Sequence, residues 1–89
     1  MNEFEIGEIK AGLKFITHFM TDCTGEFSMD DWNELRNRHI LLIEQFTFWV
    51  ERDNTKRMVL DVREFVTWFC DKITDVHERN FEKGVDIDE

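Results

Sequence analysis

Residues 27–81, FSMDDWNELRNRHILLIEQFTFWVERDNTKRMVLDVREFVTWFCDKITDVHERNF, decide the fold, because they read as two long helices joined by a turn too short for any arrangement but side-by-side packing. The first of these helices opens with capping chemistry. Ser28 is placed to accept from the amide of Asp31 as an N-cap, Asp30 and Asp31 put negative charge in the electropositive first turn, and Phe27 and Trp32 occupy the N′ and N4 positions of a hydrophobic staple. Apolar residues then recur at Trp32, Leu35, Leu42, Phe46 and Trp49, with His39 filling the gap, so that one helical face carries them. The polar stretch Asp53, Asn54, Thr55 interrupts the pattern. A second stripe runs through Val59, Val62, Val66, Phe69, Ile73 and Val76 and fades near Gly84, a candidate C′ residue. The spacing predicts helices over 29–52 and 56–82, forming an antiparallel hairpin.

Outward from the hairpin, residues 3–22 predict a first helix, with Ile6, Ile9, Leu13, Ile16 and Met20 on one stripe and Glu3, Glu5 and Glu8 where the helix dipole favours them. Gly7 and Gly12 weaken it. Phe15 and Phe19 form a second apolar row, suited either to a seat against both hairpin helices or to a subunit contact. Gly25 is the expected C-cap, and residues 84–89 form an acidic tail with too little apolar surface to bury. The 89 residues make one small helical domain, 1–89, without repeat or linker.

A chain this short buries only about 60% of its unfolded surface. Nine Phe and three Trp nevertheless supply more bulky apolar surface than a lone three-helix bundle hides easily, and Phe48, Phe65 and Trp68 stand off the main stripes. A homo-oligomer is therefore expected. The absence of Pro and the scarcity of Gly suit long helices, so the expected class is all-α: a long antiparallel hairpin with an additional N-terminal helix, oligomeric.

A formal charge of −9 and a pI near 4.7 oppose binding to a DNA or RNA duplex through phosphate neutralisation, although they leave room for a small basic pocket. Charges interrupt every apolar run, so no membrane span is expected. The acidic start, Met1, Asn2, Glu3, is unlike a secretory signal, and Cys23 and Cys70 lack a CxxC spacing. A reduced, cytoplasmic setting follows as the expectation. His18, Cys23, His39, Cys70 and His77 lack the short ligand spacing of a zinc site, and His39, the best of them, reads as structural. Cys23 has no basic neighbour to lower its pKa, and Cys70 is expected beside the apolar stripe as an inert buried thiol. Neither an enzyme nor a cofactor is expected, since 20 acids on three amphipathic helices need no active site to explain them.

The scarce positive charge is more informative. Trp32, Arg36 and His39, at i, i+4 and i+7, share a face on which an aromatic plane is followed by cationic groups, with Arg38 nearby. Such a stack-and-clamp arrangement suits a nucleotide, the base lying on the ring and the phosphate taking paired N–H bonds from Arg. Lys56, Arg57 and Arg63 form a second basic cluster at the far end of the hairpin, which only a second subunit packed head to tail would bring to the first. The bland reading of the same residues is that Trp32 is the staple and lid of the core, and that Arg36 and Arg38 pair with Glu34 and other surface acids.

The segment Val62, Arg63, Glu64, Phe65, Val66, Thr67, Trp68 resembles the aliphatic-Arg-Glu-x-Val-x-Trp signature of a phage anti-CBASS family, small helical sponges for cyclic-dinucleotide signals. The upstream aromatic, aliphatic and Arg of that family are matched by Trp32, Leu35 and Arg36. The resemblance covers residues 28–76. It implies a hexamer of helical hairpins in the host cytoplasm that holds cyclic dinucleotides of the 3′,3′-cGAMP kind between subunits and cleaves nothing, so evading host defence by sequestration. By position it assigns base stacking to Trp32 and phosphate contact to Arg36; His39, Lys56 and Arg57 join them on chemistry alone. Departures from the family pattern are Trp32 where Tyr is usual, Thr47 where a Lys stands, a turn without Pro, and a first helix outside the resemblance. The rival expectation is an acidic DNA mimic or protein-binding inhibitor of a host nucleic-acid enzyme, and a third is a ligand-free helical assembly factor.

Overall fold

The computed structural model describes residues 3–87, with side chains from 3 to 81. These residues form three helices and no strand: α1 (Glu3–Asp22), α2 (Met29–Glu51) and α3 (Thr55–Ile87). Their long, Pro-free runs produce an elongated body of 57 × 22 × 17 Å.

Local chemistry explains most of the boundaries. Ser28 accepts from the Asp31 amide at 3.2 Å while the Asp31 carboxylate accepts from the Ser28 amide at 3.0 Å, a reciprocal capping box that starts α2. At the other end, the amides of Asp53 and Asn54 donate to the carbonyls of Val50 and Trp49, and Asp53 takes a left-handed φ of 52°. This is the Schellman pattern, with an aspartate where glycine is usual. The Asn54 side chain then accepts from the Arg57 amide and begins α3.

Two expected stops are corrected. Gly25 has no positive φ; instead the buried Thr24 hydroxyl donates to the Met20 carbonyl at 2.7 Å at the end of α1. The third helix does not end near Gly84 but continues to Ile87, since one glycine costs a helix only about 1 kcal/mol and no proline follows it. Of the tail expected at 84–89, the last two residues lie outside the described ones.

The molecule centres on α3 rather than on an equal pair of helices. Both α1 and α2 pack on it, while α1 and α2 make no close backbone contact with each other. One core cluster, where side chains of all three meet, contains Ile16, Leu35, Leu42, Phe65 and Phe69; another contains Ile9, Met58, Val59 and Val62. Phe19 packs against the first cluster and Phe15 lies on Phe19 at 4.2 Å, so the second row of α1 is seated within the chain. Because α3 meets neighbours on two sides, its apolar arc is wider than one stripe, and Phe65, expected off the stripe, is buried. Contacts between α2 and α3 spread outward from the turn, from Trp49 with Asp61 to His39 with Phe65, Arg38 with Trp68 and Asp31 with Lys72.

Candidate ligand-binding site

The five residues singled out by sequence fall in separate places. Trp32 sits in the first turn of α2, its ring edge-on to Phe27 with centroids 6.0 Å apart, yet 38% of its surface stays open. It is a staple with one free side. Arg36, a turn further along, is exposed and has neither a hydrogen bond nor an ion pair among the described residues. His39 is half-buried and meets the edge of Phe65 at 6.1 Å, as a structural residue would. Lys56 lines a shallow cleft between the starts of α1 and α3 with Glu5, Glu8 and Arg63. The Arg57 guanidinium stands 5.3 Å from the Trp49 ring at the turn end of the α2–α3 seam.

Trp32 and Arg36 are thus neighbours on one helix, whereas Arg57 lies against a residue 17 positions along α2, about 25 Å away. What the fold does unite is Arg38 and Arg57, members of the two basic clusters. They line one groove between α2 and α3 with Gln45, Asp61, Glu64 and Phe65, enclosing about 250 Å³. Two guanidinium groups there face two carboxylates, so the groove is electrostatically mixed. The Arg38 guanidinium also lies over the Trp68 ring at 4.5 Å, and Trp68 stacks on Phe69. Sequence reasoning left Arg38 and Trp68 out of the site. The signal was present, because each lies fifteen residues from Asp53, on opposite sides, and residues equally distant from a tight helix turn meet.

The strongest electrostatic feature lies at the other end of the seam. Asp31 is 5% exposed and accepts from Lys72 at 2.9 Å, from Arg79 at 3.1 and 3.2 Å, and from the Ser28 amide and hydroxyl. The Lys72 ammonium foremost, opposed by burial and aided by Ser28 and Arg79, holds its carboxyl well below the usual carboxylate range. The hydrogen bond to Asp31 likewise raises the pKa of Lys72, which also donates to Glu34 at 3.1 Å. Glu34 is therefore the partner of Lys72, not of Arg36 or Arg38. With no buried side-chain polar atom left unpaired among the described residues, this cluster is a clamp between helices rather than an open site.

Cys70 is exposed, not buried beside the stripe, because α3 turns that side away from both neighbours. Among the described residues, no group of three or more His, Cys, Asp or Glu side chains could hold a metal ion, and no helix is long and apolar enough to cross a membrane. Neither a protein family, nor a curated protein, nor a solved structure matches the chain.

Proposed function

We propose that this chain binds cyclic dinucleotides and withdraws them from solution without cleaving them, acting as an assembly of antiparallel helical hairpins in the cytoplasm of a host cell. The observation that carries the reading is the pairing of an open indole with a free guanidinium on one face of α2. Lys72 and Arg79, on the facing part of α3, are engaged by carboxylates, Lys72 with Asp31 and Glu34 and Arg79 with Asp31 and Asp75. Arg36 is held by no carboxylate among the described residues and can give its planar donors to a phosphate while Trp32 carries a base.

Exposure argues for assembly. Trp32 and Arg36 lie on the open surface of one helix, and the groove that holds Arg38 and Arg57 is lined by neither of them. A ligand lying on Trp32 needs a cover from outside the protomer, and a hexamer of the kind the anti-CBASS resemblance implies would supply one. A dinucleotide carries two phosphates, so a few guanidinium groups at an interface neutralise it while the outer surface stays acidic. Calorimetry with a 3′,3′-linked cyclic dinucleotide tests the reading: submicromolar binding is expected, weakened at least about tenfold by Trp32→Ala, from the one to three kcal/mol of base stacking. No heat and no thermal shift would overturn it.

The charge of −9 favours a second reading, an acidic inhibitor that imitates a phosphate lattice for a basic host protein. It calls for salt-sensitive capture of such a protein, indifferent to Trp32→Ala.

A further inference from the structure

The groove between α2 and α3 holds four charged groups that do not pair with one another. Arg38, Arg57, Asp61 and Glu64 line it together, and none of the four takes part in an ion pair among the described residues. Indole rings hold three of them: Arg38 lies over Trp68 at 4.5 Å, Arg57 stands 5.3 Å from Trp49, and the Trp49 indole N–H donates to one oxygen of Asp61 at 2.9 Å. Guanidinium and carboxylate groups kept apart in one groove are pre-set for a ligand that brings a partner to each. Their order is set by α3. Arg57, Asp61, Glu64 and Trp68, over which Arg38 lies, follow at steps of four, three and four, so the charges run cation, carboxylate, carboxylate, cation over about 16 Å of helix. The complementary molecule has hydrogen-bond acceptors at both ends and donors between them.

We propose that this groove binds a guanine mononucleotide of the guanosine 5′-monophosphate kind. Guanine presents the acceptors O6 and N7 on one edge, the pair that a guanidinium reads bidentately, and donors at N1 and N2 on the next, which a carboxylate accepts. Arg38 and Glu64, at the end nearer Trp68, meet those two edges. The ribose hydroxyls donate to the oxygen of Asp61 that the indole leaves free, and Arg57 takes the phosphate at the turn end. A groove of about 250 Å³ lies below the ~300–1,000 Å³ of sites for drug-sized ligands, which limits the occupant to about one nucleotide. Adenine is rejected by the same groups, since its amino group would point a donor at Arg38 and its N1 lone pair would face the Glu64 carboxylate. The inference stands apart from the cyclic-dinucleotide reading, because neither Trp32 nor Arg36 lines this groove.

NMR of the indole N–H groups in the full chain reads the two sites separately. Guanosine 5′-monophosphate should shift the Trp49 signal, whose N–H is bonded to Asp61, and leave that of Trp32 in place, with a dissociation constant below about 1 mM. Adenosine 5′-monophosphate should bind at least about tenfold more weakly. Glu64 is exposed and has no partner to lose, so Glu64→Gln should keep the fold and erase that preference, because an amide pairs with adenine as a carboxylate does not. Arg57→Gln should weaken the monophosphate by about tenfold and guanosine hardly at all. Trp32→Ala should change neither. A Trp49 signal that stays in place at saturating nucleotide, a shift confined to Trp32, or equal binding of the two monophosphates by the wild type would overturn the proposal. So would an unchanged preference in Glu64→Gln. Each of these results leaves the reading of Trp32 and Arg36 to its own test with the cyclic dinucleotide.

Discussion

The two seams that hold α3 are built differently. Against α1, small side chains let the backbones come close: Gly12 faces Val62, and Ile9 joins Val59 and Val62 in one cluster, with the exposed Glu8–Arg63 pair outside it. Against α2, the side chains are long, with Leu35, Leu42, Phe65 and Phe69 in the middle, the Arg38–Trp68 contact beside them and the buried Asp31–Lys72 pair at one end. Small residues bring the backbones together where Gly12 meets Val62, while long ones hold α2 and α3 further apart. The groove containing Arg38 and Arg57 lies along α2, and so does every residue to which binding chemistry was assigned from sequence except Lys56 and Arg57 on α3.

The largest effect should come from emptying the wide seam. Leu35 is fully buried in the cluster where the three helices meet, and Leu35→Ala should cost about 3–5 kcal/mol, from lost transfer energy plus the cavity left behind. For a domain of this size that is a large share of total stability, and Tm should fall by roughly 15 °C or more. A thermal melt shifted by only a few degrees would mean that the seam collapses around the gap and is not packed as described.

Asp31→Asn should follow, at about 2–3 kcal/mol, because it keeps the shape but removes the buried carboxylate that Lys72 and Arg79 share, leaving Lys72, whose side chain is 15% exposed, with the exposed Glu34 alone. The pH dependence has a definite sign. The folded carboxyl stays ionised below the usual range, whereas the unfolded chain takes up its proton near pH 4. Its contribution is thus fully present above about pH 5 and is lost as pH falls toward the folded value. Lys72, with its pKa raised, contributes below the ordinary lysine range and loses that contribution as pH climbs through its folded value. Urea titrations should show a wild-type advantage over Asp31→Asn that is level from pH 5 to 8 and shrinks in stronger acid.

These features differ in how far the sequence reveals them, and the difference follows sequence distance. The capping box, the apolar stripe of α1 and the break at Asp53–Thr55 are set by residues within one or two turns of each other, and they were legible. The Asp31–Lys72–Arg79 cluster joins residues 41 and 48 positions apart, so only a helix register discloses it, and Asp31 read as a dipole-favoured first-turn acid. Phe65 read as surplus because a single stripe presumes a single neighbour, whereas α3 has two. Of the candidate site, Trp32 and Arg36 are neighbours on one helix, as a spacing of four dictates. His39 and Arg57 instead sit against aromatic rings, Phe65 and Trp49, as the geometry of packing rather than charge spacing dictates.

The smallest effect discriminates best between the two seams. Gly7 and Gly12 are equivalent in sequence, two glycines inside α1 that each forgo about 1 kcal/mol of helix propensity relative to Ala. Their surroundings are opposite. A Cβ at Gly7 would meet nothing within 4 Å, so Gly7→Ala should raise stability by up to about 1 kcal/mol. At Gly12 the added carbon would stand 2.2 Å from a methyl of Val62. Val62 is buried, and its β-branched side chain has little rotameric freedom in a helix, so the helices must part instead. Overpacking of this kind costs about 1–3 kcal/mol, enough to reverse the propensity gain. Gly12→Ala should therefore lower Tm where Gly7→Ala raises it, and in a Val62→Ala background, with the colliding methyl gone, the penalty of Gly12→Ala should largely vanish. If both alanines raise Tm alike, α1 does not approach α3 this closely, and the contrast between a tight seam and a wide one fails at its tight side.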